Sequence, residues 1–173
     1  MDERHENEQY FFDGATLDHL SAFVSGFERP CCICAPMLGR ALARRGKAVR
    51  ILDIDERFAD TPGFRSWDLH RPKWLGESYD LIVCDPPFFN ISLSRLFVAL
   101  RTLAQNRFDQ PLLISYPTRR GSNLLATFHR FGLRATGYTP HYLTVQESER
   151  NAIEFYGNLR EDQHAALSGQ PHG

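Results

Sequence analysis

A proline pair flanked by an acidic and an aromatic residue, Asp85-Pro86-Pro87-Phe88, directly follows the apolar run 79–84. Two consecutive prolines fix φ and remove two backbone donors, so the chain leaves the run extended, with carbonyl groups that nothing local satisfies. Asp85 supplies a carboxylate that accepts hydrogen bonds, and Phe88 supplies an aromatic face for a flat group. This combination suits a planar NH2 group. An amine that donates its two hydrogens to Asp85 and a proline carbonyl can direct its lone pair at an electrophile, such as a methyl group on a sulfonium.

These four residues belong to an ordered series of short motifs that spans most of residues 9–159. In chain order the motifs are Gln9-Tyr10-Phe11-Phe12, Cys34-Ala35-Pro36, Asp53-Ile54-Asp55-Glu56-Arg57-Phe58, Trp67-Asp68, Asp85-Pro86-Pro87-Phe88 and Asn151-Ala152-Ile153-Glu154-Phe155. The series resembles the N6-adenine methyltransferase-like family. Some members of that family methylate adenine N6 in RNA or DNA, and others methylate a lysine on a translation elongation factor. The resemblance therefore implies S-adenosylmethionine as the cofactor, nucleic acid as the first candidate partner and a protein substrate as the alternative.

Apolar runs with helix and strand spacing alternate along the chain. Helical spacing is found at 15–27, 37–42, 92–104 and 123–131, and strand-like runs at 31–35, 49–54, 64–67, 79–84, 111–116, 133–142 and 151–158. Strand-helix-strand units form parallel sheets, and a charged loop between the last two runs predicts an antiparallel hairpin. We therefore predict an α/β fold, a three-layer and mainly parallel sandwich with a C-terminal antiparallel hairpin, which the resemblance specifies as a Rossmann-like class I methyltransferase. One domain is expected over residues 1–160, and a flexible tail over 161–173 because that segment has little to bury.

The turn after the first strand is the expected binding site of the methyl donor, because ligands of such sheets bind beyond the carboxyl ends of the strands. This turn runs from Cys34 to Gly39, and we assign Ala35, Pro36 and Gly39 to the donor. A single glycine allows close backbone approach at only one place, so the turn by itself is a weak motif.

Acidic residues follow the second and third strands. Asp55 lies where a carboxylate can accept hydrogen bonds from both ribose hydroxyls of the donor, and Asp53 is its competitor because residues two apart on a strand point the same way. The resemblance favours Asp55, while the alternative is that either carboxylate pairs with Arg57 at the surface. Asp68 is assigned to the exocyclic amine of the donor's adenine, with a purely local turn as an equal alternative.

Aromatic and basic residues near the ends of the strands are candidates for binding the target. An adenine must be flipped out of a duplex or met as a single strand, so its binding needs stacking and phosphate contacts. From position and from the resemblance, the candidates beside Phe88 are Phe11, Phe12, Phe89, Tyr116, Arg119, Arg120 and Phe155. About half of the aromatic candidates should belong to the core instead. A lysine target would need a narrow aromatic channel in place of a stacking slot.

Composition narrows the function classes. Twenty basic and 21 acidic residues give a net charge of −1, which lacks the positive excess of many nucleic-acid-binding proteins and weakens that hypothesis without removing it. No apolar run approaches the roughly 20 residues that span a bilayer and the N-terminus lacks the apolar core of a signal peptide, so we expect a cytoplasmic protein with no membrane contact. Cys31 and Cys34 have C-x-x-C spacing, but no second pair or histidine cluster accompanies them, and we predict core cysteines and no metal site.

Three functions therefore stay open. The first is methylation of adenine N6 in RNA or DNA, which the Asp-Pro-Pro-Phe motif favours. The second is methylation of a lysine on a translation factor, which the near-neutral charge favours. The third is a catalytically inactive module that keeps the donor fold, which the glycine-poor turn favours.

Overall fold

The computed structural model describes residues 1–145, 148 and 152–169, and Asn151 of the last sequence motif lies outside them. The described residues form one seven-stranded sheet. Its strands are β1 (Pro30–Ile33), β2 (Arg50–Asp53), β3 (Phe64–Ser66), β4 (Leu81–Cys84), β5 (Leu112–Pro117), β6 (Arg134–Ala135) and β7 (Ile153–Gly157). The strand order is β3-β2-β1-β4-β5-β7-β6, with β1 to β5 parallel and β7 antiparallel to both neighbours. Strand order therefore reverses between β1 and β4.

Helices cover both faces of the sheet. They are α1 (Gly14–Val24), α2 (Pro36–Arg44), α3 (Leu93–Leu103), α4 (Gly121–Thr127) and α5 (Glu161–Ser168). One core joins α1, α2 and α5 to the sheet, and a second core joins α3 and α4 to its other face. Alternation along the strands supplies both cores, since Cys31 and Ile33 of β1 belong to one and Cys32 to the other. The predicted three-layer sandwich is confirmed.

Local sequence explains where the helices begin. The side chain of Asp13 accepts a hydrogen bond from the Thr16 backbone N–H, and that of Ser92 accepts one from Arg95, so both cap the following helix. Pro36 opens α2, where a missing backbone donor costs nothing. In chain order α2 thus begins shortly after β1, and α3 follows β4 after the loop 85–92.

The C-terminal strand pair differs from its prediction in length. β6 has only two residues instead of the ten expected from the run 133–142, because Gly137 takes a positive φ of 83° and Pro140 lacks a backbone donor. Beyond them Tyr142 forms an isolated antiparallel bridge with Phe12. Thr136 and Tyr138 still form backbone hydrogen bonds with Phe155 of β7, and the chain pairs with the N-terminal segment only at Tyr142.

The expectation of a flexible tail does not hold for residues 161–168, which form α5. Leu167 is fully buried in the core that contains α1, and His164 is 6% exposed. The Gln163 side chain accepts a hydrogen bond from the Arg160 backbone N–H at 3.0 Å, which stabilises the start of the helix. One buried leucine at the right helical position anchors a segment whose composition is otherwise polar. Residues 170–173 of the expected tail lie outside the described residues.

Candidate active site

A cavity of about 580 Å³ lies at the carboxyl ends of β1, β2, β4 and β5, at the point where strand order reverses. Its walls come from segments 6–10, 53–55, 67–70, 85–90 and 142–145, together with Cys34, Pro117, Arg119 and Ile153. This position agrees with the rule for ligand sites in open α/β sheets. The cavity brings together Asp53, Asp55, Asp68, the residues from Asp85 to Phe89, and Arg119.

Asp85 is held at the end of β4 by its backbone N–H, which donates to the Ile33 carbonyl at 3.1 Å. Its side chain accepts two hydrogen bonds on one oxygen, Oδ1, from the Ser115 hydroxyl at 2.5 Å and from the Tyr142 hydroxyl at 2.8 Å. Within the described part of the chain, no donor contacts Oδ2. Burial raises the pKa of Asp85 to about 7, although both hydroxyl groups lower it. Oδ2 is therefore free to accept a hydrogen bond from a ligand.

The proline pair offers one free carbonyl group. The Asn90 backbone N–H donates to the Pro87 carbonyl at 3.0 Å, which closes a tight turn. No described donor contacts the carbonyl of Pro86. Pro86 follows Asp85 in the chain, and both residues line the cavity. The strand end therefore has two acceptors without a described donor, one from the Asp85 side chain and one from the Pro86 backbone.

Phe88 and Phe89 stand at the rim in different environments. Phe88 is half-buried and packs edge-on against Tyr116, with ring centroids 5.6 Å apart. Phe89 is 73% exposed although it lines the cavity. An aromatic side chain this exposed leaves its apolar surface in contact with water. A ligand bound at the rim would cover that surface.

The turn after β1 differs from the expected donor loop. Cys34 adopts the left-handed conformation with φ of 57°, the role that glycine commonly has in such turns, and it lines the cavity. Ala35 and Pro36 are buried at the start of α2 and do not line the cavity. Gly39 also lies away from it, since a Cβ there would come within 2.5 Å of Ile51. Gly39 thus permits close packing of α2 on β2, and its assignment to the donor stays a prediction.

Asp55 is already occupied by protein groups. Arg57 donates to it through Nε at 3.0 Å and through a terminal nitrogen at 2.8 Å, and the Gln9 amide donates at 2.8 Å. Although burial opposes the effect, these hydrogen bonds hold the pKa of Asp55 well below its usual range. The structure therefore has the ion pair with Arg57 that was the alternative interpretation for this carboxylate.

Asp53 lies at the end of β2 and lines the cavity without an ion-pair partner among the described residues. It accepts a hydrogen bond from the Asp55 backbone N–H at 2.8 Å. Burial raises the pKa of Asp53 to about 6, and the charge of Asp55 adds to the effect. Asp68 also lines the cavity, and its side chain accepts a hydrogen bond from the His70 backbone N–H at 2.9 Å. Asp68 therefore both forms a local turn and contributes to the site.

Most of the aromatic target candidates are core residues. Phe11, Phe12 and Phe155 are at most 4% exposed and do not line the cavity. Phe12 packs against the Tyr142 ring at 5.1 Å and against Phe155 at 6.2 Å, so it supports the wall from behind. In this structure the three rings are packed in the core, and their assignment to substrate contact stays a prediction.

The remaining target candidates separate in a similar way. Tyr116 is 1% exposed, and the Arg120 guanidinium lies 5.3 Å from the centre of its ring. Neither residue lines the cavity. Arg119 is exposed and lines the rim. Among the residues proposed beside Phe88 for target contact, Phe89 and Arg119 are thus the two that reach the cavity.

The roles of four residues of the site were not predicted from the sequence: Glu8, Gln9, Ser115 and Tyr142. Gln9 opens a motif of the family series, yet its role as a donor to Asp55 depends on the folded path of the N-terminus. Glu8 lies in an acidic stretch that is typical of a solvated surface. Tyr142 lies 57 positions from Asp85, and no local pattern marks it.

Solved structures share this fold at low sequence identity. Magnesium protoporphyrin IX methyltransferase from Synechocystis PCC 6803 with bound SAM is 17% identical, with a TM-score of 0.58 over 83% of this chain and 77% of that chain. The 16S rRNA methylase RmtB is 18% identical, with a TM-score of 0.56 over 85% and 63%. Ribosomal protein L11 methylase from Lactobacillus delbrueckii subsp. bulgaricus is 12% identical, with a TM-score of 0.54 over 86% and 80%. The predicted Rossmann-like methyltransferase fold is confirmed.

The sequence also matches a family model. A search of curated proteins with this sequence found no significant match. Residues 3–161, however, match the family described as "Probable N6-adenine methyltransferase". This matched range includes every motif of the series. With that match and the methyltransferase fold, the chain belongs to the probable N6-adenine methyltransferase family of S-adenosylmethionine-dependent methyltransferases.

Proposed function

We propose that this protein transfers a methyl group from S-adenosylmethionine to an amine, and that the amine is N6 of an adenine in RNA or DNA. The observation that carries the proposal is the pair of free acceptors at the end of β4. Asp85 Oδ2 and the Pro86 carbonyl lie next to each other along the chain, beside the half-buried Phe88 ring. A planar NH2 group can donate one hydrogen to each acceptor and stack on that ring.

The donor fits the side of the cavity formed by β1, β2 and the segment after β3. The cavity volume of about 580 Å³ lies in the range of small-molecule sites. Asp53 would accept hydrogen bonds from the ribose hydroxyls, since the oxygens of Asp55 are engaged by Arg57 and Gln9. Asp68 would accept from the adenine amine of the donor, and the left-handed turn at Cys34 allows close backbone approach. This assignment replaces the sequence-based preference for Asp55.

Catalysis by this chain rests on orientation. When bound, S-adenosylmethionine supplies a methyl group whose C–S bond breaks as the N–C bond forms, with the electron pair remaining on sulfur. Asp85 and Pro86 fix the direction of the amine lone pair, and holding two reactants in line accounts for much of the rate in such transfers. The methylated nitrogen carries an extra proton, and Asp85 with a pKa of about 7 is suited to accept it and pass it to solvent.

Two features of the rim favour a base in nucleic acid as the target. Phe89 follows Phe88 in the chain, lines the cavity and is 73% exposed, so a neighbouring base could stack on its ring. Arg119 is exposed, lines the same cavity and suits a phosphate contact. The family description points to the same substrate.

Transfer of labelled methyl groups tests the proposal. The protein would be incubated with tritiated S-adenosylmethionine and separate RNA, DNA and protein fractions, and labelled nucleic acid would be digested for identification of N6-methyladenine. We expect label in a nucleic-acid fraction and none with Asp85→Ala. Donor binding by the wild type without transfer to any fraction would support the inactive module, and equal transfer by Asp85→Ala would reject the role of Asp85.

A second candidate function is methylation of a protein lysine, and the charge of the cavity favours it. Glu6, Glu8, Asp53, Asp68 and Asp85 all line the cavity, a potential that attracts a cationic side chain and repels phosphate. Asp85 could take the proton that a lysine must lose before it attacks. The same labelling experiment decides, because methyllysine in the protein fraction and no label in RNA or DNA would select this function.

A further inference from the structure

Tyr142 and Ser115 both bind the same carboxylate oxygen of Asp85, a residue that lines the cavity. Both hydroxyl groups donate to Oδ1, at 2.8 Å and 2.5 Å, and this leaves Oδ2 without a described donor. A carboxylate with one donor could rotate and exchange its oxygens. Two donors that converge on one oxygen from different elements fix the plane of the group, because rotation would break both hydrogen bonds.

Tyr142 is held firmly enough to impose this orientation. It forms an isolated bridge with Phe12, and the next residue, Leu143, donates from its backbone to the Phe11 carbonyl at 3.0 Å. On the other side, the Asp13 backbone N–H donates to the His141 carbonyl at 2.9 Å. The N-terminal segment thus fixes the backbone on both sides of Tyr142.

The charge state of Asp85 depends on few groups. Those that face it are Tyr142 from the segment after β6, Glu8 from the N-terminal segment, Cys34 from the turn after β1 and Cys84 from its own strand. Burial raises the pKa of both thiols and of the Tyr142 hydroxyl well above their usual values, so these groups stay neutral. Glu8 disfavours a charge on Asp85, and no cation pairs with Asp85 in the described part of the chain. The hydroxyl donors are therefore what stabilises the carboxylate.

We propose that Tyr142 is a positioning residue of the methyl transfer, which together with Ser115 favours the ionised form of Asp85 and turns Oδ2 towards the amine. This inference rests on the proposed function, in which only the ionised carboxylate accepts the amine hydrogen. Tyr142 touches neither the reacting nitrogen nor the methyl group in this role. It acts through Asp85 alone.

The pH dependence of transfer by Tyr142→Phe tests the proposal. Loss of a donor to the ionised form raises the pKa of Asp85, so the acid limb of kcat/KM should move to higher pH. We expect kcat/KM to fall roughly tenfold on the acid side of neutrality, because loss of one hydrogen bond to a charged group has an effect of about that size. At alkaline pH most of this loss should be recovered. The affinity for S-adenosylhomocysteine should stay unchanged. Ser115→Ala should shift the limb in the same direction.

Tyr138→Phe is the matched control, because it removes a hydroxyl from the same segment in a residue that stacks on Phe155 and does not contact Asp85. Its pH profile should match that of the wild type. A direct readout is titration of the Asp85 carboxyl carbon by NMR, which does not require a known target and should give a higher pKa in Tyr142→Phe.

Two results would overturn the proposal. One is a uniform loss at every pH with the acid limb unmoved, which indicates a structural role only. The other is an unchanged Asp85 titration in Tyr142→Phe. Failure of the proposed function looks different, since transfer would then persist in Asp85→Ala, or be absent in the wild type while the Asp85 titration still reports on Tyr142.

Discussion

Glu8 and Phe89 lie 81 positions apart, yet the Glu8 carboxylate accepts hydrogen bonds from the Phe89 backbone N–H at 2.8 Å and 3.2 Å. The next residue, Gln9, donates to Asp55 on the opposite wall at 2.8 Å. Two adjacent residues of the N-terminal segment therefore bind the turn after β2 and the loop after β4, which both line the cavity. Burial raises the pKa of Glu8, but the backbone contacts favour its ionised form.

Glu8→Ala should release the loop that carries Phe88 and Phe89. A backbone hydrogen bond to a charged acceptor contributes roughly 1.5 to 3 kcal/mol, and partial exposure reduces this to about 1 kcal/mol of target binding. We expect KM for the target to rise roughly fivefold, with unchanged affinity for S-adenosylhomocysteine by calorimetry. Glu6→Ala is the control, since Glu6 lines the same cavity as an exposed residue. An equal effect of both variants would indicate a general charge effect.

Asp53→Asn should weaken donor binding by roughly 1.5 to 3 kcal/mol, because two ribose hydroxyls lose an ionised acceptor. The pKa of about 6 adds a pH dependence, since ribose binding favours the carboxylate and affinity should fall as pH drops through this value. Calorimetry with S-adenosylhomocysteine across that range measures the effect, and the Asn variant should give a flat profile. If Asp55→Asn loses more affinity than Asp53→Asn without loss of stability, the ribose assignment returns to Asp55.

Asp55→Asn should reduce the free energy of unfolding by roughly 1 to 3 kcal/mol at neutral pH, because Arg57 and Gln9 lose a buried charged acceptor. The folded-state pKa of Asp55 is lowered from 3.8, so its contribution is present above that value and is lost as pH falls towards the folded pKa. Urea unfolding at several pH values should show the two proteins converging in acid. A constant difference at all pH values would contradict an electrostatic origin.

Phe89→Ala should weaken target binding by roughly 1 to 3 kcal/mol if a base stacks on this ring. Stability should change little, since the side chain is 73% exposed. Trp74→Ala is the control, an aromatic side chain 50% exposed that does not line the cavity. Fluorescence anisotropy with labelled single-stranded RNA and DNA measures binding, and Phe89→Trp should bind better than Phe89→Leu. Equal binding by those two would favour the lysine target.

Leu167→Ala should destabilise the fold by roughly 2 to 5 kcal/mol, the cost of a cavity at a fully buried leucine. Ala166→Gly, at an exposed position of the same helix, is the control and should cost only about 1 kcal/mol through helix propensity. The midpoint and slope of urea unfolding give both values. A loss for Leu167→Ala no larger than the control's would show that α5 does not depend on this side chain.

The sequence predicts those parts of the site that lie next to a strand in the chain. Asp85 and Pro86 follow β4 directly, and Asp53 ends β2, so parallel pairing alone brings them to one edge of the sheet. Tyr142 and Glu8 come from segments without regular pairing, whose paths depend on contacts such as the Phe12 bridge. Aromatic residues are equally suited to a core and to a binding surface, which is why Phe12 could not be separated from Phe89 by type alone.

The proline pair has a consequence for the entropy of target binding. Pro86 and Pro87 have fixed φ angles, and the Asn90 hydrogen bond to Pro87 closes the turn that follows. A loop with so few accessible conformations has little freedom left to lose when a ligand orders it. The proposed acceptors of the target amine are thus pre-organised before any target binds, so the contacts made there should count almost fully towards affinity.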